Sequence, residues 1–428
     1  MGDSLAFHIA FAFLGVGLPM VISLFELLGI IKKDTEYRAI ARRWTFAMST
    51  LFVTGAISGT VVSFQLNLLW PHFMAFAGQV IALPFFMEGF AFFIEAIFLG
   101  IYVYTWDRFS PFVHWLCSLP IVLGSAASAF FITTANAFMN SPEGFTYQNG
   151  VISDVHPWRA MFNTATPYET SHSILSYYLA TCFVLAGLYA FLALRKRVRP
   201  QSEKLRIYKK VITPLMIAGL VLAIAVGIAG DISGKYLAEH EPLKFAASEA
   251  IIASRTYVPF EYGGFFENGS LTGALTINGG VLSYLAFGTQ SAFVRGLDAF
   301  DPSLWPPLWI HYVLDLMVTI GVFFGAVALL FITSLKWRPN TAFGRPMLWA
   351  ITICAPLAVT AIECGWMLTE IGRQPWAIRG VMTTADAFTS STSVLQFAFL
   401  FPAFYIVLFG VTYYVLRRHY SNSRISHG

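Results

Sequence analysis

Nine apolar runs divide this chain, and they constrain its fold more than any other feature of the sequence. A helix needs about 20 residues to cross the roughly 30 Å hydrocarbon core of a bilayer, and each run is long enough to do so. The chain is 57% hydrophobic and 12% charged, whereas soluble domains are about 25% charged. We therefore predict an all-α integral membrane protein, a bundle of nine transmembrane helices. The predicted spans are residues 5–31, 45–69, 79–105, 112–138, 172–194, 209–229, 305–335, 346–371 and 389–416.

The distribution of basic residues predicts the orientation of these helices. Of the 27 Lys and Arg residues, 20 lie in alternate connections, and the positive-inside rule assigns those connections to the cytoplasm. The N-terminus is then outside and the C-terminus cytoplasmic. The net charge of +4 follows from this bias and requires no nucleic-acid partner. The 20 residues are Lys32, Lys33, Arg38, Arg42, Arg43, Arg108, Arg195, Lys196, Arg197, Arg199, Lys204, Arg206, Lys209, Lys210, Lys336, Arg338, Arg345, Arg417, Arg418 and Arg424.

The connection between the sixth and seventh helices is unusually long. Most connections in compact proteins have about 4–6 residues, and long ordered loops are usually lids or binding elements. We expect this one on the outer side, with Lys244 and Glu249 flanking an apolar helical stretch. The chain is thus predicted to comprise helices 1–6 at residues 1–230, an outer loop at 231–304, and helices 7–9 with a cytoplasmic tail at 305–428.

Two carboxylates lie inside the third apolar run, where an ionisable side chain is energetically expensive. Glu88 and Glu95 are seven residues apart. That spacing is about two helical turns, so both side chains project from nearly the same face. It is typical of a proton relay or of a metal-cofactor site. The same pair would also suit a proton-coupled transporter.

Four further side chains in or beside the apolar runs are of the types that bind haem iron. His8, His172, Met317 and Glu370 all fall toward the outer half of the bilayer in the predicted topology. Imidazole, thioether and carboxylate groups can be axial ligands of haem, and a Met/His pair suits an electron-transferring haem of relatively high potential. Any one of these residues alone would more often be part of the core. Their combination indicates a haem protein.

Three stretches of the sequence closely resemble one known family. They are Glu-Gly-Phe-Ala-Phe-Phe-Ile-Glu-Ala-Ile-Phe-Leu-Gly from Glu88, Lys-Phe-Ala-Ala-Ser-Glu from Lys244, and Gly-Arg-Gln-Pro-Trp from Gly372. With the order of the candidate residues along nine helices, they resemble subunit I of the cytochrome bd-type quinol oxidases over nearly the whole chain. The outer loop looks like the short-loop type. The stretch from His311 to Met317 is similar to the cyanide-insensitive branch of that family.

This resemblance implies a haem arrangement. His172 and Met317 would be the axial ligands of a low-spin haem b. His8 and Glu370 would ligate two high-spin haems, one of b type and one of d type, or a further haem b in place of haem d. Which of the two residues ligates which haem is left open. Glu88 would lie at or beside one of these high-spin irons.

The resemblance also implies a quinol site and supporting residues. Lys244 and Glu249 would bind and deprotonate the quinol, with Asp231 near them. Arg373 would neutralise haem propionates. Trp366, one turn before the proposed ligand of the eighth helix, would pack near the haems.

The implied activity is that of a terminal quinol oxidase in the cell membrane. Quinol oxidation at the outer loop would release protons outside, and Glu95 and Glu88 would carry cytoplasmic protons toward the site of dioxygen reduction, so that charge separates without a pump. The implied partners are membrane quinol, dioxygen and a second transmembrane subunit, subunit II; a small single-helix subunit is left open. Two alternatives remain. One is a related haem protein that lacks haem d or uses another electron acceptor, and the other is a proton-coupled transporter without haem.

A few other polar residues carry expectations of their own. Asp315 stands where enterobacterial members of the family have an Arg, so the surroundings of the low-spin haem would differ. We expect Glu26 to be an interfacial group at the cytoplasmic end of the first helix and His114 to be an ordinary surface residue. Glu363 is either a hydrogen-bonded core carboxylic acid or part of a proton path.

Overall fold

The structure is a computed structural model that describes residues 1–148, 150–195, 203–267, 269–391, 394 and 397–422. Within these residues, nine helical segments are long and apolar enough to cross a membrane, which confirms the predicted helical membrane bundle. Residues 196–202, which include three of the basic residues assigned to the cytoplasm, lie outside the described part of the chain. So does the end of the predicted tail, after residue 422.

Long helices form the spanning segments, and proline at the first helical position starts several of them because its missing N–H is not needed there. The fourth span joins α4 to α5 and the eighth joins α12 to α13. The helices are α1 (Gly2–Ile31), α2 (Thr35–Leu69), α3 (Pro71–Tyr104), α4 (Pro111–Leu116), α5 (Ser118–Asn140), α6 (Pro157–Met161), α7 (Thr166–Leu194), α8 (Glu203–His240), α9 (Pro242–Ser248), α10 (Val281–Phe287), α11 (Ile310–Trp337), α12 (Pro339–Ala342), α13 (Arg345–Ile371), α14 (Thr384–Ala387) and α15 (Phe397–Asn422).

Helix α8 extends further than predicted. The prediction ended the sixth span at residue 229, where the apolar run gives way to polar residues, but the helix continues to His240. Nothing in the polar stretch breaks a helix before Pro242, and the pair Asp231 and Lys235, at 2.5 Å, supports it at the i,i+4 spacing. Asp231 therefore lies on a helix and pairs with Lys235, and this helix extends into the region predicted as the outer loop.

The long connection after α8 contains α9, two nested pairs of strands, α10 and two short 3-10 turns. Strands β3 and β6 pair in antiparallel fashion, and the hairpin of β4 and β5 lies between them in sequence. Two more antiparallel pairs, β1 with β2 and β7 with β8, lie in other connections. The strands are β1 (Thr146–Gln148), β2 (Val151–Ser153), β3 (Phe260–Tyr262), β4 (Phe265–Glu267), β5 (Ser270–Thr272), β6 (Leu275–Ile277), β7 (Trp376–Ile378) and β8 (Met382–Thr383).

The chain divides into two compact units. The first comprises Met1–Ala135, Gly144–Met161 and Asp386–Gly428. In it α1 packs along α2, with Phe13 and Phe25 fully buried in the core.

The second unit comprises Asn136–Glu143 and Phe162–Ala385. Helices α7, α8, α11 and α13 pack together in it. Gly187 of α7 permits the close approach to α13, because a Cβ atom at that position would lie 2.6 Å from the Cβ atom of Ala355.

Candidate functional site

Glu249 follows the C-terminal end of α9, where the long connection forms a cavity of about 300 Å³. Ile251 is among the apolar residues that line the cavity, together with the charged residues Arg255 and Glu261. Burial raises the pKa of Glu249 to about 8, and the nearby Asp315 carboxylate acts in the same direction. A cavity lined by apolar and charged side chains, one of them a carboxylate that titrates near neutral pH, can receive a small aromatic molecule and accept its proton.

His311, near the start of α11, holds two segments of this connection. Its Nδ1 atom lies 3.0 Å from the carbonyl oxygen of Ser248, and its Nε2 atom lies 3.0 Å from the carbonyl oxygen of Gly263. The N–H of Gly263 donates a hydrogen bond of 2.7 Å to Asp315, whose carboxylate is 3.4 Å from Nε2. Because Ser248 directly precedes Glu249, this buried imidazole ties the backbone beside the cavity to α11.

Lys244 has different neighbours from those of Glu249, although the family resemblance implies that both bind quinol. Its ammonium lies 3.4 Å from a carboxylate oxygen of Glu241 and 3.5 Å from Oδ1 of Asn140. Glu241 also pairs with Arg379 at 3.4 Å. With 7% of its surface exposed, Lys244 belongs to a buried polar network.

Asn140, the last residue of α5, is the centre of this network. Its Oδ1 atom accepts a hydrogen bond of 3.4 Å from Arg373 and the contact from Lys244. Its Nδ2 atom lies 2.9 Å from Glu169 and 3.0 Å from Oδ1 of Asn136. The side chain of Asn140 is fully buried, so it joins α5 to α7, α9 and the end of α13 through polar contacts alone.

Glu370 has a donor on each carboxylate oxygen. Arg373 donates a hydrogen bond of 2.7 Å to Oε2, and the amide of Asn136 donates to Oε1. Each carboxylate oxygen has two lone pairs, so these bonds still leave acceptor capacity for a metal ion. Trp366, one turn earlier, donates a hydrogen bond of 2.9 Å to the hydroxyl of Tyr177 and so links α13 to α7.

His172 and Met317 each face a glycine of a neighbouring helix. The buried Nδ1 atom of His172 makes no hydrogen bond of normal geometry within the described chain, although the ring interacts with the backbone of Val226, and a Cβ atom at Gly230 would lie 3.7 Å from Nδ1. A Cβ atom at Gly365 would lie 3.6 Å from Sδ of Met317. A buried imidazole nitrogen without a partner is costly unless a ligand or ion satisfies it. The unpaired nitrogen and the types of donor atom fit haem iron.

His8, in the first unit, has one ring nitrogen fixed. Nδ1 lies 2.8 Å from Oγ of Ser58, whose hydroxyl donates its hydrogen to the carbonyl oxygen of Gly55. Ser58 has a single hydroxyl hydrogen, so Nδ1 of His8 must be the donor to it and Nε2 keeps a free lone pair. A histidine that binds metal is typically held in this way through its second nitrogen. The geometry of His8 therefore fits the proposed ligand role.

Glu88 and Glu95 both lie on α3, as the sequence predicts. Glu95 is 6% exposed and Glu88 is half-buried. A Cβ atom at Gly124 of α5 would lie 3.1 Å from the Cβ atom of Glu95, so the two helices are in close contact there. This packing leaves Glu95 a buried carboxylate on the face that it shares with Glu88.

Two expectations about the first unit are wrong. Glu26 and His114 are both fully buried, and Nδ1 of His114 lies 2.6 Å from Oε1 of Glu26. Tyr102 donates a hydrogen bond of 2.7 Å to the other carboxylate oxygen. Both residues fall near the ends of apolar runs, where position alone suggests an interface, but the partners that bury them come from other helices.

Sequence reasoning missed several residues of the buried network around Asn140. Glu169 lies three residues before His172, and Asn136 and Asn140 are four residues apart at the end of α5. That spacing puts the two amides on one helix face. Two polar residues at i,i+4 in an otherwise apolar helix were the only sequence pattern that indicated a buried polar cluster. This pattern does not show that Glu241 and Glu169 belong to the cluster.

Comparisons with known proteins point to one family. A family model described as cytochrome bd terminal oxidase subunit I matches residues 1–424. The chain is 36% identical over 420 residues to a Bacillus subtilis protein provisionally named cytochrome bd menaquinol oxidase subunit I, covering 97% of this chain and 94% of that protein. It is 31% identical over 428 residues to cytochrome bd ubiquinol oxidase subunit 1 of the same organism, with 96% of this chain and 88% of that protein covered.

A solved structure of a bd oxidase has the same fold as this chain. The bd oxidase from Geobacillus thermodenitrificans has a chain that superposes on this one with a TM-score of 0.93 and 40% sequence identity. The match covers 99% of this chain and 97% of that chain.

Proposed function

Because the chain belongs to the cytochrome bd terminal oxidase subunit I family, we propose how its residues divide the work of a quinol oxidase. It is the haem-containing catalytic subunit of a terminal oxidase, a quinol:oxygen oxidoreductase of the membrane. A quinol loses two electrons and two protons when it becomes a quinone, and dioxygen takes up electrons and protons when it becomes water. The residues must therefore bind quinol, accept its protons, hold haem and deliver protons to dioxygen.

The proposed site of quinol oxidation is the cavity beside Glu249, and the position of that carboxyl group is the observation that carries the proposal. Glu249 lines the cavity and has its pKa raised to about 8 by burial. Its carboxylate form would take a proton from the quinol hydroxyl as the ring is oxidised. Arg255 lines the same cavity and offers hydrogen-bond donors for a ring oxygen. Lys244 remains a proposed contact of quinol, and Asp231 a proposed neighbour of this site, by resemblance alone.

The haem ligands that we propose are those implied by the resemblance. His172 and Met317 would hold a low-spin haem b, which the unpartnered Nδ1 atom of His172 supports. His8 and Glu370 would each ligate a high-spin haem, one of b type and the other of d type or again of b type. Bound haem supplies one-electron transfer and, at the oxygen site, the binding and reduction of dioxygen. Arg373 would offset the negative charge of propionates, and Trp366 would pack beside them.

The remaining roles concern protons, orientation and partners. Glu95, buried on α3, would pass protons from the cytoplasm toward Glu88 at the oxygen site, while protons from quinol leave at the outer loop. This arrangement separates charge with the N-terminus outside and the C-terminus in the cytoplasm, as the basic residues favour. We propose membrane quinol and dioxygen as substrates, and a second transmembrane subunit as the partner chain.

The experiment that tests the quinol site replaces Glu249 with Gln, which keeps the shape but cannot accept the proton. Losing the hydrogen bond between the quinol hydroxyl and the Glu249 carboxylate costs roughly 1.5–3 kcal/mol, or about ten- to a hundredfold in the efficiency of quinol oxidation. The haem absorption bands should be unchanged, and oxygen uptake from an artificial electron donor that bypasses the loop should be less affected. The matched control is Glu267→Gln at the exposed hairpin of β4 and β5. Wild-type quinol oxidation by Glu249→Gln would exclude this cavity as the site.

A further inference from the structure

The loop helix α9 is joined to α13 by a chain of hydrogen bonds with one consistent polarity. The ammonium of Lys244 points at Oδ1 of Asn140, and Nδ2 of Asn140 donates to Oδ1 of Asn136. Nδ2 of Asn136 then donates to Oε1 of Glu370. A cation stands at one end of this chain and a carboxylate at the other, with two amide dipoles aligned head to tail between them. Hydrogen bonds in such an aligned chain polarise and strengthen one another.

The charged residues beside this chain of hydrogen bonds form ion pairs and are largely buried. Glu241 is 3% exposed and pairs with both Lys244 and Arg379. Arg373 is also 3% exposed and pairs with Glu370. Buried charges without partners are expensive, so each cation here stabilises the carboxylates that it faces. The direct ion-pair partner of Lys244 is Glu241, and Lys244 is joined to Glu370 through Asn140 and Asn136.

We propose that Lys244 is a positioning residue for Glu370, acting through Asn140 and Asn136. The inference rests on the proposed function, in which Glu370 ligates a high-spin haem. It gives Lys244 a role beyond the contact with quinol that the resemblance implies. Glu249 takes the proton of quinol at the cavity, whereas Lys244 holds the carboxylate at the other end of the amide chain and adds positive charge to its surroundings.

This assignment predicts a signed electrochemical effect. A positive charge near a redox centre favours its reduced form, and removing the charge favours the oxidised form. Lys244→Met keeps the length of the side chain and removes its charge, while Glu241 keeps Arg379 as a partner. The midpoint potential of one high-spin haem should therefore shift to more negative values in Lys244→Met, with a change in its absorption band. Lys244→Arg should restore both.

The experiment is a spectroscopic redox titration of the purified oxidase carrying Lys244→Met, Lys244→Arg or Asn140→Asp, with the apparent KM for quinol measured alongside. Asn140→Asp is isosteric but loses the N–H donors and adds negative charge, so its shift should have the same sign. It also supplies the test if Lys244→Met does not accumulate. The matched control is Arg295→Met, which removes a cation from an exposed position of the same loop and should leave the potentials unchanged.

Two outcomes would overturn the inference. A raised KM for quinol with unaltered haem potentials would mean that Lys244 contacts the substrate, and unaltered potentials and KM would mean that it does neither. Glu370→Gln separates this failure from that of the proposed function. If Glu370→Gln leaves both high-spin bands intact, the ligand assignment itself is wrong. If it disturbs one band while Lys244→Met and Asn140→Asp shift nothing, only the positioning role fails.

Discussion

The Nδ1 atom of His114 lies 2.6 Å from a carboxylate oxygen of Glu26, and neither side chain is exposed to solvent. The second ring nitrogen lies 3.0 Å from the carbonyl oxygen of Tyr102, whose hydroxyl donates to the other oxygen of Glu26. The group joins α1, α3 and α4 at one end of the first unit. Every polar atom of the carboxylate thus has a partner, and the stability of the unit should depend on all three residues.

Removing His114 should destabilise the protein strongly. In His114→Ala the buried carboxylate of Glu26 loses its nearest partner and keeps Tyr102 and, at 3.9 Å, Arg38, and losing one partner of a buried ion pair costs about 3–5 kcal/mol. Tyr102→Phe removes a single donor and should cost about 1–3 kcal/mol. Thermal unfolding in detergent measures both changes. The control is Asp107→Asn, which breaks an exposed ion pair with Arg42 and should change the stability little, because such pairs are screened by solvent. Equal stability of His114→Ala and Asp107→Asn would contradict the expectation.

Replacing Met317 with Leu should remove the low-spin haem signal or convert it to high spin, because Leu has no lone pair to offer iron. The change in volume is small, so the fold should survive. Absorption and electron paramagnetic resonance spectra measure the spin state. Met367→Leu makes the same chemical change at an exposed position of α13 and should have no effect on either spectrum. An intact low-spin signal in Met317→Leu would rule the ligand out.

The sequence predicted the membrane spans because their evidence is local: a run of about 20 apolar residues is sufficient. It did not predict the end of α8, because residues 230–240 mix polar and apolar side chains, so the apolar run stops while the helix continues. The sequence could not predict the network around Asn140 for another reason. Asn140, Lys244 and Arg373 are separated by more than a hundred residues along the chain, and only the packing of their helices brings them together.

The proposed haem ligands were predictable from the sequence only in part. Residue type and position indicated His8, His172, Met317 and Glu370, and family resemblance supplied their separate roles. What the sequence could not supply is the local geometry, such as the hydrogen bond that leaves Nε2 of His8 free. Lys244 illustrates the same limit. A short motif groups it with Glu249, whereas its contacts join it to the residues around Glu370.

The rate of quinol oxidation should rise with pH up to about 8. Glu249 can accept a proton only as the carboxylate, and burial raises its pKa from the usual acidic range to about 8. Below that value the ionised fraction increases about tenfold per pH unit, so kcat/KM for quinol should increase between pH 6 and 8 and then level off. Glu249→Gln should abolish this slope along with most of the activity. A wild-type profile that is flat over this range would show that another group accepts the proton.

The two carboxylates of α3 should respond differently to substitution. Glu95→Gln keeps shape and hydrogen bonding but cannot titrate, so it should bind haem normally and consume oxygen much more slowly. Glu88→Ala should disturb a high-spin haem band as well as activity, because Glu88 is assigned a place at or beside that iron. Oxygen consumption and absorption spectra of both variants test this division. A fully active Glu95→Gln enzyme would exclude a role of Glu95 in proton transfer. Unchanged high-spin haem bands in Glu88→Ala would exclude a position of Glu88 beside that iron.

Gly59 of α2 should matter for haem binding because of what lies beside it. A Cβ atom at this position would lie 3.1 Å from Cε1 of His8, closer than an ordinary contact, so the imidazole would have to move by a few tenths of an ångström. Gly59→Ala should therefore weaken or shift the high-spin haem signal assigned to His8.

At Gly55, one turn away on the same helix, an added Cβ atom would meet nothing within 4 Å. Gly55→Ala should leave the spectrum unchanged and, like most glycine-to-alanine changes in helices, stabilise the protein by roughly 0.5–1 kcal/mol. Identical spectra for the two variants would show that the position of the His8 ring does not control haem binding.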